Sequence, residues 1–284
     1  MTAQSKMRLT SVIVSILSVF LIIVCVGPLL FVVWNSSKSP EEYWTSKFAL
    51  PNDVGYFVVN VKKLINIGII RQLKNTVIVT AFGILLSSAF TSMAGFAFSK
   101  LDFPGRMVIF WSIVSLLAMP TQLLIVPLYV MFSKLYLINN PFTLAVIYAT
   151  FSFSFGTFFM RGFYIGIPDE ILDSARIDGA GLLLIYLKLM VPLGMPAIIT
   201  LAVLNFFGFW NELFVSYIFN HTAESRLVTS GLAMLRAVAR AGGGITDWTL
   251  IYTGIILSLI IPFMVYFVFQ RRLANGITMG AVKG

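Results

Sequence analysis

The stretch from Pro168 to Pro192 contains the densest group of ionisable side chains in the sequence. Four of the chain's 11 acidic residues lie within ten positions of one another: Asp169, Glu170, Asp173 and Asp178. Acidic residues favour the positive N-terminal end of a helix, and proline is well tolerated at its first position. The pair Asp178-Gly179 is typical of a turn that ends a helix. The pattern therefore predicts a short acidic helix, a glycine turn and a second, more apolar helix that starts near Ala180.

The short helix also carries an apolar stripe made of Ile171, Leu172 and Ala175. At 3.6 residues per turn these positions fall on one narrow face of the helix. An acidic helix with such a stripe suits docking into a groove on a partner protein. The same stripe suits an interfacial helix that packs on lipid headgroups. The local sequence leaves both interpretations open.

A second candidate site is the segment Phe206-Phe207-Gly208-Phe209-Trp210-Asn211-Glu212, near the end of an apolar run. Aromatic faces stack on C–H-rich rings, and an amide both donates and accepts hydrogen bonds, which suits a solute rich in hydroxyl groups. An acidic residue at membrane depth, as expected for Glu212, by default indicates a transport pathway. It equally fits a solvated or helix-pairing carboxylate, and membrane aromatics more often form belts or cores. The candidate pathway residues are Phe206, Trp210, Asn211 and Glu212.

Common catalytic and cofactor-binding motifs are absent from the sequence. It has no G-x-x-x-x-G-K-[ST] phosphate loop, no HExxH, no C-x-x-C and no G-x-S-x-G. The single cysteine, Cys25, and the single histidine, His221, have no companion ligands nearby in the sequence. We therefore expect a protein that is not an enzyme, holds no metal and binds no cofactor, with His221 on the surface.

The composition indicates a polytopic membrane protein. Hydrophobic residues make up 58% of the chain and charged residues 11%, whereas soluble domains carry about 25% charged residues. The net charge of +9 does not require a nucleic-acid partner, because the basic residues are scattered among the loops. Membrane topology and anionic lipid headgroups explain such a distribution.

Six apolar runs are long enough to cross a bilayer, which takes about 20 residues. They cover residues 12–34, 76–98, 107–131, 142–165, 190–215 and 248–269. Prolines such as Pro120 and Pro127 lie inside these runs; membrane helices tolerate them when neighbouring groups satisfy the backbone, and a simple helix kink is the plainest interpretation of both. The sequence therefore predicts an all-α polytopic membrane protein with six transmembrane helices and both termini on the same side.

The two long loops on the opposite side from the termini also carry helical patterns. The segment from Tyr56 to Leu73 predicts an amphipathic helix on the membrane surface. The loop 216–247 predicts a short helix over Gly231–Ala239 and then a flexible hinge at Gly242-Gly243-Gly244. The charge distribution does not settle which side is cytoplasmic, because the 20 Lys and Arg residues divide ten to ten between the two sides. The basic residues next to the span ends only mildly favour termini inside the cell.

The stretch that begins at Asp173 resembles the cytoplasmic coupling motif of ABC-importer permeases, E-A-A-x3-G-x9-I-x-L-P. The matching positions are Asp173, Ser174, Ala175, Gly179, Leu189, Val191 and Pro192. The run from Ala175 to Ala180 is similar to the carbohydrate branch of that family, the maltose/oligosaccharide type. The tail from Gln270 to Gly284 and the Trp-Asn-Glu segment are also similar to sugar-type permeases. The resemblance covers about residues 15–284, and because the family's coupling loop is cytoplasmic, it implies that both termini are cytoplasmic.

The resemblance implies a type I ABC importer permease architecture in a bacterial-type cytoplasmic membrane. It divides the chain into a cytoplasmic N-terminus (1–11), a first transmembrane helix with an external segment (12–75), a five-helix permease core (76–269) and a cytoplasmic tail (270–284). The core contains the cytoplasmic coupling loop 166–189. The implied partners are a second, homologous permease, two ATP-binding subunits, an external solute-binding protein and membrane lipid, with no nucleic acid. ATP and Mg²⁺ would be bound by the ATP-binding subunits and not by this chain.

The resemblance also implies a role for particular residues. Those implied to couple the chain to the ATPase are Glu170, Asp173, Ser174, Ala175, Asp178, Gly179 and Ala180. Asp173 would offer a charge to the ATPase groove, Ala175 would permit close approach and Gly179 would permit the turn. In the tail, Gly280, Val282 and Lys283 are implied to contact the ATPase, where glycines would let a strand-like tail approach another backbone.

We therefore expect the transmembrane subunit of an ATP-driven importer for a carbohydrate, above all an oligosaccharide. A permease of the same kind for a polyol or a glycerol-phosphate-type solute is the first alternative. The absence of a basic residue deep in any span argues weakly against an anionic solute. A secondary transporter that works without ATP and a membrane scaffold that transports nothing remain further alternatives.

Overall fold

The computed structural model describes residues 3–241 and 246–281, with side chains described for residues 12–236 and 246–270. All regular structure in these ranges is helical, as predicted. The α-helices are α1 (Ala3–Ser36), α2 (Pro40–Thr45), α3 (Tyr56–Ile67), α4 (Ile69–Lys100), α5 (Arg106–Ser115), α6 (Ile125–Lys134), α7 (Pro141–Ile165), α8 (Asp169–Ile177), α9 (Leu182–Ile185), α10 (Val191–Trp210), α11 (Phe214–Phe219), α12 (Val228–Ala241) and α13 (Trp248–Ala281).

Five of the six predicted spans correspond to single stretches of helix in the described part of the chain. The helices that are long and apolar enough to cross a membrane are Val12–Ser36, Ile69–Lys100, Pro141–Ile165, Leu182–Trp210 and Trp248–Gln270. The chain is therefore a multi-pass membrane protein. The span predicted at 190–215 in fact begins at Leu182 and ends at Trp210.

The span predicted over 107–131 is not a kinked helix. It consists of two helical segments, Arg106–Ala118 and Thr121–Lys134, that meet at 97°. Met119, the residue before Pro120, is extended with φ −89° and ψ 122°, because a following proline disfavours the α conformation. Pro120 itself has ψ 121° and also leaves the helix. Pro127 lies in the first turn of α6, where no backbone donor is needed.

The helix predicted from near Ala180 is continuous with the fifth span and contains a π-helical turn, Tyr186–Met190. This turn joins α9 to α10 and ends two residues before Pro192, which has no N–H to donate. A π turn changes the hydrogen-bonding register and thereby lets a helix continue past a residue that interrupts it. Pro196 lies inside α10 without ending it.

Three shorter predictions require correction. The surface helix predicted from Tyr56 to Leu73 ends at Ile67, because Gly68 adopts a left-handed conformation with φ 100° and its N–H caps α3. The helix predicted over Gly231–Ala239 is longer and forms α12, while the predicted Gly242-Gly243-Gly244 hinge lies outside the described residues. The tail predicted to be strand-like is helical as far as Ala281, since α13 continues to that residue.

The described residues fall into two units, Met1–Ile69 with Leu232–Ile260, and Ile70–Gly231 with Ile261–Gly284. In the first unit, the carbonyl of Ser36 at the end of α1 accepts hydrogen bonds from two buried side chains. The donors are Asn60 at 3.3 Å and Thr253 at 3.1 Å. These side chains satisfy a carbonyl that the helix itself leaves without a partner.

In the second unit, α4, α7 and α10 are joined by polar side chains inside the apolar packing. The hydroxyls of Ser87 and Ser152 are 2.6 Å apart, and the amide of Asn205 donates to Ser87 at 2.9 Å. The hydroxyls of Ser92 and Tyr164 are 2.7 Å apart. Such interhelical hydrogen bonds and small residues are typical of membrane helix contacts, because lipid provides little hydrophobic drive for association.

Gly156 of α7 shows how closely these helices approach. A Cβ atom at this position would lie 2.6 Å from the Cγ2 atom of Thr91 on α4. The same atom would lie 3.2 Å from Leu201 on α10. The contact between the three helices therefore depends on the missing side chain.

We predict that Gly156→Ala destabilises the protein by about 1–3 kcal/mol, the usual effect of overpacking. Gly162→Ala on the same helix is the matched control, since a Cβ there would have no neighbour within 4 Å. Thermal unfolding in detergent, followed by the loss of monodisperse protein, measures the difference. Equal melting temperatures for the two variants would contradict the close approach at Gly156.

Candidate functional site

Helix α8 belongs to the second unit and packs against its membrane helices mainly through one buried side chain, Leu172. Leu172 is 2% exposed and packs into a hydrophobic cluster with residues from α4, α7 and the helix that follows. The buried members of this cluster are Phe96, Met160, Tyr164, Ile167, Leu172, Ile185, Tyr186, Met190, Ala197 and Leu201. Burial of a leucine side chain contributes about 1.5–3 kcal/mol. Leu172 therefore anchors α8.

The remaining residues of the predicted coupling set divide into an inner and an outer group. Ala175 and Ala180 are partly buried and pack against the Leu172 cluster. Ala175 thus contacts the chain's own cluster with part of its side chain, and its predicted role in close approach to the ATPase stays a prediction. The predicted stripe is also narrower than expected, because Ile171 is 38% exposed. The outer group consists of Glu170, Asp173, Ser174, Asp178 and Gly179, all exposed.

The C-terminal end of α8 is closed by a glycine turn, as predicted. The N–H of Gly179 donates to the carbonyl of Arg176, and the N–H of Ala180 donates to the carbonyl of Ala175, both at 3.0 Å. This pair of hydrogen bonds is the Schellman motif, which requires a left-handed residue just beyond the helix. Gly179 supplies it with φ 80°, and a Cβ there would have no neighbour within 4 Å. The backbone angle, and not lack of space, therefore favours glycine.

The N-terminal end of α8 is held by Lys100, a residue that the sequence analysis did not select. Its ammonium donates to the carbonyl of Ile167 at 2.5 Å and forms an ion pair with Asp169 at 2.6 Å. The Lys100 side chain is 4% exposed, whereas that of Asp169 is 77% exposed. Lys100 is the last residue of α4, so it joins the end of a membrane helix to the start of α8. The only feature of the sequence that could have indicated this role of Lys100 is its position at the end of an apolar run.

The other ion pair of α8 is of a different kind. Arg176 contacts Asp173 at 3.0 Å, and both side chains are about half exposed, at 48% and 62%. Pairs of this type on a helix surface contribute little to stability. Asp173 is therefore free to exchange Arg176 for another cation without loss of the fold. Ser174 donates its hydroxyl to the carbonyl of Glu170 in the same helix.

The second candidate set, Phe206 to Glu212, is divided by the structure. The rings of Phe206 and Trp210 are stacked at 5.4 Å and are 9% and 3% exposed. Asn211 is exposed and donates to the carbonyl of Phe207 in its own helix. These residues therefore do not form one aromatic and amide surface open to a solute.

Glu212 acts as a helix cap. Its carboxylate oxygens accept the backbone N–H groups of Val215 and Ser216, each at 3.0 Å, and the hydroxyl of Tyr148 at 3.0 Å. The two backbone donors belong to the first turn of α11, where a carboxylate is favourable. Of the two roles left open for Glu212, the geometry supports the helix-pairing carboxylate.

The loop between α11 and α12 is also hydrogen-bonded to the rest of the second unit. The side-chain oxygen of Asn139 accepts the N–H groups of His221 at 2.9 Å and Thr222 at 3.2 Å. The amide of Asn75 donates to the carbonyls of Glu224 and Arg226 at 2.7 and 3.1 Å. His221 is exposed, as predicted. No group of three or more His, Cys, Asp and Glu side chains suited to a metal ion occurs in the part of the chain that the structure describes.

The tail residues cannot be compared in the same way. Gly280 lies in the last described turn of α13, while Val282 and Lys283 lie outside the described residues. The predicted contact of this tail with an ATPase stays a prediction.

Comparison with known proteins gives consistent matches. The sequence model of the family described as binding-protein-dependent transport system inner membrane component matches residues 87–279. The chain is 29% identical to the diacetylchitobiose uptake system permease protein NgcG of Streptomyces coelicolor, over 99% of this chain and 91% of that protein. It is 32% identical to the arabinooligosaccharides transport system permease protein AraQ of Halalkalibacterium halodurans, over 74% of this chain and 73% of that protein.

A solved structure has the same fold. It is a crystal structure of a bacterial ABC transporter involved in the import of the acidic polysaccharide alginate, and one of its chains superposes with a TM-score of 0.81. The alignment covers 95% of this chain and 98% of that chain at 22% sequence identity. At this identity the match establishes the shared architecture of the two chains.

We predict that Lys100→Met loosens α8 and that Arg176→Met does not. Loss of Lys100 leaves the buried carbonyl of Ile167 without its donor, which costs about 1–3 kcal/mol. Loss of the exposed Arg176 pair is expected to change stability by less than about 1 kcal/mol. Hydrogen–deuterium exchange of a peptide spanning residues 167–177 measures both effects. Equally slow exchange in the two variants would show that Lys100 does not hold the helix.

Proposed function

The chain belongs to the binding-protein-dependent transport system inner membrane component family, and from this premise we propose that it is the permease subunit of an ATP-driven importer for a carbohydrate. The named relatives include permeases for diacetylchitobiose and for arabino-oligosaccharides. These names support an oligosaccharide as the solute. ATP hydrolysis would take place in separate subunits, in which ATP and Mg²⁺ are bound.

The observation that carries this proposal is the two-sided construction of α8. Its inner side is fixed to the membrane helices by Leu172 and Lys100, and its outer side presents Glu170 and Asp173 to solvent. An anchored helix with an exposed acidic face suits docking into a groove on a partner. A helix that packed on lipid headgroups would place its apolar side outward, whereas Leu172 is buried in the chain itself. The docking interpretation is therefore the better supported.

In the proposed complex this chain pairs with a second, homologous permease, two ATP-binding subunits and an external solute-binding protein. Closure of the ATP-binding subunits would displace α8 as a lever. The two permeases would then alternate between inward-open and outward-open states about a solute site near the middle of the membrane. The exposed residues Asp173, Ser174 and Asp178 would contact the ATPase, and Gly179 would keep the turn that ends the lever.

The proposal also assigns an orientation in a bacterial-type cytoplasmic membrane. The loop that contains α8 would face the cytoplasm, as would both termini. Three basic residues support this assignment, because Lys100, Arg106 and Arg161 lie at ends of helices near α8. Arg106 pairs with Asp102 at 2.7 Å, and Arg161 lies 4.3 Å from the ring centre of Phe110. Basic residues next to span ends favour the cytoplasmic side.

The proposed function is tested by purifying the tagged chain from its native membrane with its co-purifying subunits and reconstituting the complex in proteoliposomes. Radiolabelled diacetylchitobiose, an arabino-oligosaccharide and glycerol 3-phosphate serve as solutes. We expect uptake of a saccharide that requires ATP and the external solute-binding protein, and that ionophores leave unchanged. Uptake that continues without ATP but collapses with the ion gradient would instead identify a secondary transporter. If glycerol 3-phosphate is the only solute taken up, the solute belongs to the glycerol-phosphate class and not to the carbohydrates.

We predict that Gly179→Asp leaves the protein in the membrane and abolishes ATP-dependent uptake. The added side chain would project from the exposed turn at the end of the lever. Gly105→Asp is the matched control, because Gly105 is also exposed and has φ 78°, against 80° for Gly179. Both variants therefore carry the same new charge and a similar backbone strain of about 1–2 kcal/mol. Uptake by the reconstituted complex, divided by the amount of chain in the vesicles, separates the two. Normal uptake in Gly179→Asp would remove the coupling role from this turn.

A further inference from the structure

The segment that follows α2 exposes several apolar side chains outside the helices that are long enough to cross a membrane. Phe48 is 83% exposed, Leu50 is 71% exposed and Val54 is 69% exposed. Trp44, at the end of α2, is 45% exposed. A contiguous exposed apolar surface of this kind marks an interaction site with another protein or with a membrane. We refer to Trp44–Leu50 as the apolar loop.

The position of the apolar loop is fixed by a contact with the first membrane helix. The ring of Phe48 lies 5.6 Å from the ring of Phe31, which is inside the span Val12–Ser36. Phe31 precedes the end of that span by five residues, which corresponds to about 7.5 Å along a helix. The chain therefore leaves α1, forms α2 and returns alongside α1 to a level below the end of the span.

The backbone of the returning loop is satisfied by a buried lysine. The ammonium of Lys38 donates to the carbonyl of Ser46 at 2.8 Å and to the carbonyl of Lys47 at 3.2 Å. Lys38 is fully buried, at 0% exposure. A non-helical loop in water would need no such donor, because water would bind its carbonyls. In lipid each unsatisfied backbone group is costly, and irregular backbone is tolerated only where the protein supplies partners.

We propose that the apolar loop inserts Phe48 and Leu50 into the acyl-chain region of the leaflet nearest to Ser36, with Lys38 satisfying the carbonyls of the inserted backbone. The partner is thus the lipid bilayer itself. The loop anchors the segment between α1 and α4 at the membrane surface. This inference depends on the membrane span that ends at Ser36 and is independent of the solute and of ATP coupling.

The polar residues around the loop fit a membrane interface. The ammonium of Lys47 lies 4.4 Å from the ring centre of Trp44, a cation–π contact. Tryptophan and lysine side chains concentrate at the headgroup level, where one part of each is apolar and the other is hydrated. Beyond the loop, Asn52 donates its N–H to the carboxylate of Glu42 at 2.7 Å. A carboxylate and a backbone amide thus border the apolar side chains of the loop.

An external protein is the other occupant that an exposed apolar loop could have. Two observations favour lipid. The loop packs through Phe48 on the first membrane helix, in which the apolar side chains of Phe20 and Ile23 are 60% and 63% exposed. The carbonyls of Ser46 and Lys47 are paired within the chain, which a site that docks a hydrated protein does not require.

The test uses single cysteines that carry a nitroxide spin label. Cys25→Ser provides the background, and labels are placed at Phe48→Cys, at Phe20→Cys as the lipid reference and at Asn52→Cys as the water reference. The protein is reconstituted in phosphatidylcholine and phosphatidylglycerol nanodiscs. Collision rates with oxygen, which partitions into lipid, and with a water-soluble nickel chelate are then measured by electron paramagnetic resonance.

We expect the label at position 48 to resemble that at position 20, with a nickel collision rate several-fold lower than at position 52. A nickel collision rate at position 48 equal to that at position 52 overturns the proposal. If the label is accessible to nickel and becomes protected only when an external solute-binding protein is added, the loop binds protein and not lipid. The uptake experiment on the unlabelled complex does not depend on where the loop lies. A negative labelling result would therefore overturn this inference and leave the proposed function as it is.

A second variant isolates the contribution of Lys38. Lys38→Met keeps the length and the apolar stem of the side chain but removes the donor to Ser46 and Lys47. We expect the nickel collision rate at position 48 to rise several-fold in this background, while that at position 20 stays constant. An unchanged rate at position 48 would show that insertion does not depend on the lysine. If the nickel collision rate rises at both positions, the Lys38→Met variant is misfolded. The proposal is then decided by the labels in the protein that retains Lys38.

Discussion

The structure depends on one constraint: backbone polar groups that lie where lipid excludes water must find partners within the chain. The helices satisfy most of these groups themselves. Where a membrane helix ends or is interrupted, side chains or a changed backbone register supply the missing hydrogen-bond partners. Pro192 follows a π turn that shifts the hydrogen-bonding register, and beyond Trp210 the carboxylate of Glu212 accepts two N–H groups of α11. Glu212 thus has a structural role at the start of α11, and its role in a transport pathway stays a prediction.

The same constraint makes α8 part of the membrane unit rather than a loose loop. Lys100 is the last residue of α4 and donates a hydrogen bond to the carbonyl of Ile167. The connection between α7 and α8 is therefore fixed to the end of α4. Leu172 adds an apolar anchor in the middle of the helix, and Gly179 closes its end. A displacement applied to α8 would therefore act on α4, α7 and α10 together. The close approach at Gly156 keeps those three helices in contact.

The sequence predicts the helices and the coupling turn well because their signals are local. Apolar runs of bilayer length, Pro168 before an acidic turn and a glycine after Asp178 each specify a nearby conformation. The sequence predicts long-range contacts poorly. Lys100 and Ile167 are far apart in the chain, so their hydrogen bond has no local pattern. The angle at Pro120 likewise depends on how the two half-helices pack, and the burial of Phe206 and Trp210 depends on their surroundings. By contrast, the helical spacing places Ala175 on the same side of α8 as Leu172, and both residues pack against one cluster.

Within α8, the departures from the coupling motif lie on the exposed side of the helix. Asp173 and Ser174, which differ from the motif, are exposed, and Ser174 satisfies its hydroxyl within its own helix. Ala175 and Gly179, which match it, are limited by the chain itself, the first by packing against the Leu172 cluster and the second by its left-handed backbone. Leu172 and Lys100 hold the helix in place, so the charged side chains on its exposed side are not needed to anchor it. Under the proposed function, these charges could differ from one importer to another to match a particular ATPase, because surface charges of this kind contribute little to stability.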